Sequence, residues 1–554
     1  TSANAVAGDD FDSAASAATA FATASALADQ QKMDRFLSSQ AAVDLKRLVA
    51  RARLVASKDD AREFVDDVGV GPLVFALRTF QGPEQAVAVS ALAQIAVLVP
   101  SARLEIVTCD SASVLDSLVQ LLSRENRPLV GPLSGWQTEA LVSATHLIGS
   151  LALCAGSEGK EWRRRMATHS ELCKSLEYLS RGLKVGESES AARAARRALA
   201  ALGINKWRPR VPGQRGLRIL SLDGGGTRAV MSFEMLKHLK RITGSEIHEL
   251  FDIIAGTSTG AIIAGSLGIR HKTVEEVETL YRDLIGRVFA KHPVNMTKMI
   301  FTRAYYDTSV LESVLKRECG TGLFFDSTAD PSANKVVVVS SIMSRNPKEL
   351  HVFRNYTYPC GVESRYGGTT EAEIWEGLRA SSAAPTFFSE IRVNGELHAD
   401  GAIVANNPTA VALHEAKCIY PGVPVEVLVS IGNGKAASGD DAFKDSVGWN
   451  DVLGTIIDSA TSTEFVHHTL QDLLPPNQYF RFNPSTQHTA IDETDPGRLA
   501  YWVARTHEHI EAERDRFEEL GAILRPQTPR NLWNQLKNAV SHELTQFRDQ
   551  NNLL

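Results

Sequence analysis

The run from Asp252 to Gly265, Asp-Ile-Ile-Ala-Gly-Thr-Ser-Thr-Gly-Ala-Ile-Ile-Ala-Gly, leaves a chain few ways to fold. Ile253, Ile254 and Ala255 make an apolar run of strand length, and Ala261 to Ala264 open a second run suited to a buried helix. Between them, Gly256-Thr257-Ser258-Thr259-Gly260 sets a serine between two glycines. Gly256 and Gly260 let the backbone turn sharply from strand to helix, which exposes the Ser258 hydroxyl and aims the first helical amides at it. The pattern is that of a nucleophile elbow. The same apolarity, with Asp252 the one charge between Leu250 and Ile269, has the length of a membrane-spanning helix. A buried parallel strand followed by a buried helix accounts for it better.

Two other stretches give the elbow its weight. Leu217 to Leu222 has strand character and runs into Asp223-Gly224-Gly225-Gly226-Thr227-Arg228, and Ala229 to Leu239 follows with Met231, Met235 and Leu239 on one helical face. Consecutive glycines ahead of a helix leave backbone N–H groups unshielded, a nest for an anion. A Walker phosphate loop is excluded by the missing Gly-Lys-Ser/Thr ending, so the preferred reading is an oxyanion hole. The third stretch is His398-Ala399-Asp400-Gly401-Ala402, after the alternating Ile391-Arg392-Val393-Asn394. An acid at a strand end followed by glycine faces a cleft with little steric cover, although Asp-Gly alone is a common turn pair.

In this order the three blocks resemble those of the patatin-like phospholipases. Phe353-Arg354-Asn355-Tyr356, Arg379-Ala380-Ser381-Ser382-Ala383-Ala384-Pro385, Leu473-Leu474-Pro475-Pro476 and Tyr479-Phe480-Arg481-Phe482-Asn483-Pro484 are similar to the gamma-type calcium-independent phospholipase A₂ branch. The resemblance runs from about Gly216 to the C-terminus. It implies an α/β three-layer catalytic domain with a mainly parallel sheet, and a Ser-Asp dyad without histidine. Ser258 would attack an ester carbonyl and carry the acyl group; Asp400 would take its proton and later activate water. Gly224, Gly225, Gly226, Thr227 and Arg228 would make the oxyanion hole, with Arg228 orienting that loop or meeting the lipid phosphate. Ala229 departs from the family's usual glycine.

The implied activity is calcium-independent release of fatty acid from glycerophospholipids at a membrane surface, without a cofactor. A Ser-His-Asp triad through His398 or His467-His468 competes with the dyad, since His398 shares a strand face with Asp400. Acyl transfer to a lipid alcohol and a non-catalytic armadillo-type lipid-binding scaffold are the alternative functions.

A chain of 554 residues exceeds one ordinary core, so two or three domains are expected. A net charge of −6 excludes a nucleic-acid binder as the overall class. Cys109, Cys154, Cys173, Cys319, Cys360 and Cys418 show no C-x-x-C or metal spacing and read as free thiols in a reducing compartment, with no structural metal expected. Residues 1–40 form an Ala/Ser/Thr-rich, partly mobile segment, with a helix over Ala17 to Leu27 as the alternative. Its first 31 residues lack Lys and Arg, so it is no secretory signal, and the opening Thr1 is that of a processed or truncated chain.

Residues 41–203 are helical throughout. Ser90 to Ala96, His146 to Ala152 and Arg197 to Gly203 resemble one another at the spacing of armadillo or HEAT units, against a plain helical bundle. Such a surface suits a protein partner or packing against the catalytic domain. Residues 204–216 form a basic linker. Arg193, Arg196, Arg197, Lys206, Trp207, Arg208 and Arg210 are candidate membrane contacts, at about 1 kcal/mol per basic residue near an anionic surface.

From 217 to 525, strands at Arg218–Leu222, Phe251–Ala255, Lys335–Ser340, His351–Arg354, Glu396–Ala399 and Val425–Ser430 alternate with helices such as Val274–Gly286 and Val411–Lys417. Helices are expected over Gly497–Ile523 and, as a final segment within 526–554, over Leu532–Asp549. The whole reads as an intracellular soluble chain with peripheral membrane association; a homo-oligomer is compatible with it.

Overall fold

A computed structural model describes residues 37–109, 111–123, 133–182, 189–288, 306–436, 463–486 and 491–526. The expected helices at Ala17–Leu27 and Leu532–Asp549 lie outside them. The chain divides into two compact units. One runs to Asn205 and takes in Thr328–Pro331 and Thr357–Val362; the other holds the remainder from Lys206 onward.

The first unit is helical. Its three similar segments fall on α1 (Pro83–Leu98), α2 (Gly135–Leu151) and α3 (Glu189–Ala201). These pack in chain order, α1 on α2 and α2 on α3. Their small, apolar positions make that approach close: Ala88, Ala91, Leu92, Ala144, Leu147, Ala195 and Ala198 are all fully buried.

The second unit is built on a sheet of order β10-β8-β1-β2-β3-β4-β5. Its strands are β1 (Leu217–Leu222), β2 (Ile253–Thr257), β3 (Lys335–Ile342), β4 (Glu349–Arg354), β5 (Gly367–Thr369), β6 (Ile391–Val393), β7 (Glu396–Asp400), β8 (Val425–Ile431), β9 (Lys435–Ala436), β10 (Tyr479–Phe482) and β11 (Ser485–Thr486), with β9 and β11 a separate pair. From β10 through β3 every pairing is parallel. Both faces of such strands are covered by helices, which is why β1 and β2 are buried along their whole length. Helices α4 (Val230–Thr243), α5 (Thr259–Gly268), α6 (Ile374–Ser381), α7 (Thr409–Ile419), α8 (Thr463–Leu473), α9 (Pro496–Ala512) and α10 (Arg514–Leu524) belong to this unit.

The register of β3 places the site. Thr257 lies opposite Val339 on the parallel side, and Asp400 lies opposite Ser340, the next residue, on an antiparallel pairing. β4 takes one edge of β3 through Val337–Ile342, so β2 and β7 meet end to end along the other edge.

All six expected strands are present; five are longer by one or two residues, and the one expected at Phe251–Ala255 lies two residues further on, at Ile253–Thr257. Among the described residues no helix is long and apolar enough to cross a membrane, and Leu250–Ile269 is the strand-turn-helix of the elbow. The stretch after Asn205 is no free linker. Val211 and Gln214 are buried, Gln214 Nε2 donates to Asp252 Oδ2 at 2.7 Å, and Arg210 donates to the carbonyls of His248, Ser332 and Ala333.

Candidate active site

Ser258 sits between β2 and α5 with φ 55° and ψ −121°. That backbone is strained for a residue with a side chain, by about 1–3 kcal/mol, and persists only where neighbours hold it. The two flanking glycines allow the turn to close: a Cβ on Gly256 would stand 2.1 Å from the carbonyl oxygen of Gly260, and one on Gly260 2.3 Å from that of Leu222. Every residue from Phe251 to Gly268 is buried except Ser258. The strained turn therefore presents one hydroxyl from an otherwise enclosed segment.

Ser258 Oγ donates to Asp400 Oδ2 at 2.8 Å. Asp400 Oδ1 accepts from the Ala402 amide at 2.8 Å, so both carboxylate oxygens are occupied. Burial pushes this carboxyl up to about 6, against the pull of the Ala402 amide, the Ser258 hydroxyl and the Arg379 charge. An acid titrating there is ionised at neutral pH yet close enough to hold and return a proton.

Of the five loop residues expected to make the oxyanion hole, three have amides already engaged. The Gly224 amide donates to Asn406 O, Thr227 to Ile491 O and Arg228 to Gly225 O. Among the described residues the Gly225 and Gly226 amides donate to no backbone carbonyl. A Cβ on Gly224 would lie 3.2 Å from Ser258 Cβ, which puts the loop against the elbow. Arg228 Nε donates to Gly225 O at 3.4 Å, so this side chain braces the loop.

The segment Ser381–Ala383 ties the pair together. Ser381 Oγ donates to Val339 O at 2.6 Å and accepts from the Ser258 amide at 2.9 Å. Ser381 O accepts from the Gly401 amide and Ala383 O from the Asp400 amide. Behind them Arg379 is fully buried, 3.5 Å from Glu312 and donating to Ser389 O at 2.6 Å.

Asp223, at the head of the glycine loop, is a second buried acid. Its Oδ2 accepts from Arg481 at 2.6 Å, and Arg481 also donates to Ser430 Oγ at 2.8 Å. Sequence reasoning missed this pair, although an arginine set among aromatic residues in a buried strand, Tyr-Phe-Arg-Phe, demands a buried acid.

The histidines stand elsewhere. His398 is hydrogen-bonded to Ser340 Oγ at 3.0 Å through Nδ1 and is pushed down to about 4 by burial. His467 Nδ1 is paired with the Tyr479 hydroxyl at 3.2 Å. Among the described residues no histidine is bonded to Ser258 or Asp400.

The basic cluster is dispersed. Arg193, Lys206 and Arg208 are exposed and Trp207 is half-buried. Arg196 donates to Ser180 O and Ala329 O, Arg197 is buried, and Arg210 is engaged with backbone carbonyls. Those three arginines are committed within their own units.

Residues 220–413 match the model of the Patatin-like phospholipase family, a span that contains Ser258, Asp400 and the glycine loop. The chain carries a patatin domain. Over 314 residues it is 40% identical to the human "Calcium-independent phospholipase A2-gamma", taking in 56% of this chain and 40% of that protein. Over 446 residues it is 32% identical to "Phospholipase A I" of Arabidopsis thaliana, covering 69% of this chain and 33% of the other. The "85/88 kDa calcium-independent phospholipase A2" of Mus musculus is 29% identical over 346 residues, with 55% and 40% covered. The chain thus spans 40% or less of the length of these relatives. Arg481, which closes the ion pair with Asp223, lies beyond the matched patatin span.

Proposed function

We propose that this patatin domain is a calcium-independent phospholipid acyl hydrolase working through Ser258 and Asp400. The reading is carried by one observation, a strained, singly accessible serine donating at 2.8 Å to a buried carboxylate. The printed names of the relatives, phospholipases A and A₂, support the substrate class.

Ser258 Oγ attacks the ester carbonyl as its proton passes to Asp400. The tetrahedral oxygen takes its charge to the Gly225 and Gly226 amides, at the N-terminal end of the segment leading into α4. Asp400 returns the proton to the departing lysophospholipid oxygen, leaving an acyl group on Ser258. Water deprotonated by the same carboxylate then releases the fatty acid. Phospholipid is met at a membrane surface, and the helical unit is read as an armadillo-like stack offering a surface for a partner.

The test is fatty-acid release from phosphatidylcholine vesicles in excess calcium chelator, comparing the intact chain with Ser258→Ala and Asp400→Asn. Turnover by the intact chain and its collapse in both variants is the expected result. Equal inactivity of all three would end the reading.

A further inference from the structure

Helix α8 carries a cluster that the hydrolytic chemistry does not use. Glu464, His467 and His468 stand at positions i, i+3 and i+4, so they share one helical face. One ligand atom from each lies within 4.8 Å of the others. Two imidazoles and a carboxylate form a donor set suited to zinc, with a fourth position open to water. Zinc–ligand distances of about 2.0–2.1 Å in a tetrahedron put donors roughly 3.4 Å apart. That gap is within the reach of side-chain torsions: His468 is exposed, and its ring lies 5.4 Å from that of His467. The cysteine spacing that argued against a metal says nothing of this face.

The surroundings are those of a held site. With His467 Nδ1 engaged by Tyr479 Oη, Nε2 is the nitrogen left to coordinate, and the phenol fixes the ring from the outer shell. Glu464 Oε1 accepts from Asn483 at 3.0 Å and stands 3.6 Å from Arg481, while Oε2 is 3.5 Å from Lys435. Arg481 in turn holds Asp223, the first residue of the glycine loop.

We propose that Glu464, His467 and His468 bind a zinc-class divalent cation and that Glu464 passes its presence to the oxyanion loop through Arg481 and Asp223. A dication on Glu464 withdraws negative charge from Arg481 and repels the guanidinium. The anchor of the loop shifts, and a misplacement near 1 Å at a catalytic donor costs up to about 10²-fold in rate. The expected consequence is slower turnover on metal loading. This second half rests on the proposed hydrolysis; the binding half does not.

The experiment is equilibrium dialysis of the full chain against Zn²⁺, and against Co²⁺ for its visible absorption, alongside His468→Ala and Glu464→Gln. The wild-type chain is expected to hold one equivalent more than either variant, with at least about tenfold weaker binding at this site in His468→Ala. The difference between chains isolates the site from the six thiols. Equal stoichiometry and affinity in all three would overturn the site. In the vesicle assay, Zn²⁺ added in place of chelator should slow the wild type about two- to tenfold and leave His468→Ala, which matches it in chelator, unslowed. Equal rates with a filled site would overturn the coupling. If no chain turns over in chelator, the hydrolase reading has failed, and dialysis still decides the metal site.

Discussion

Asp400 and Asp223 invite comparison because they are nearly the same object in different company. Each lies at the carboxyl end of a strand, each is almost wholly buried, and each is pushed by that burial to about 6. Asp400 answers to a hydroxyl and an amide; Asp223 answers to the guanidinium of Arg481. A neutral partner leaves a carboxylate free to exchange a proton. A buried cation does not, because protonating Asp223 would strand Arg481 without a counter-charge. Equal burial thus yields a working base in one place and a fixed strut in the other.

The comparison breaks most visibly in rate. Ser258→Ala and Asp400→Asn should each lower fatty-acid release by about 10⁴-fold or more, with the fold retained by circular dichroism. A residual rate within tenfold of wild type in Asp400→Asn would make the two aspartates alike after all. Next in size is stability. Asp223→Asn leaves Arg481 buried and uncompensated, an expected loss of about 3–5 kcal/mol in urea unfolding; an unmoved midpoint would deny the strut.

The pH profile follows. Asp400 acts ionised, so kcat/KM should fall about tenfold per unit below a pH of about 6 and level off above it. A profile flat from 5 to 8 would remove Asp400 as the base. The smallest effect has the opposite sign. Asp400 binds its proton more tightly folded than unfolded, so its contribution to stability is fully present below pH 3.8 and is lost as pH rises to about 6. Asp400→Asn should therefore gain on the order of 1 kcal/mol at pH 8, after the lost hydrogen bond is allowed for. A loss there, like that of Asp223→Asn, would erase the distinction.

Much of the site was legible because its signals are local. A serine between glycines, joining an apolar strand to an apolar helix, dictates its own turn, and alternation of pattern marked β1, β2, β3, β4, β7 and β8. What escaped depends on partners far along the chain. Ser381 meets Ser258 across 123 residues and Arg481 meets Asp223 across 258. No periodicity announces which carbonyl will claim the amides of Gly224, Thr227 and Arg228. Strand β10 is only four residues long, too short for alternation to announce it, and its place beside β8 is set by pairing across the chain. Conversely, His398 competed for a triad role because it shares a strand face with Asp400, but its ring is bonded to the hydroxyl of Ser340.

Ser381 to Ala383 touches the nucleophile with a side chain and the base with backbone carbonyls. Machinists hold two parts in one clamp when the gap between them matters more than the position of either. Here the clamp spans three residues, while the parts it holds are 142 residues apart in the chain. Breathing of the sheet that carries the elbow away also carries the carboxylate with it. The spacing between them then inherits the play of one short segment, and slack accumulated along the intervening chain does not reach it.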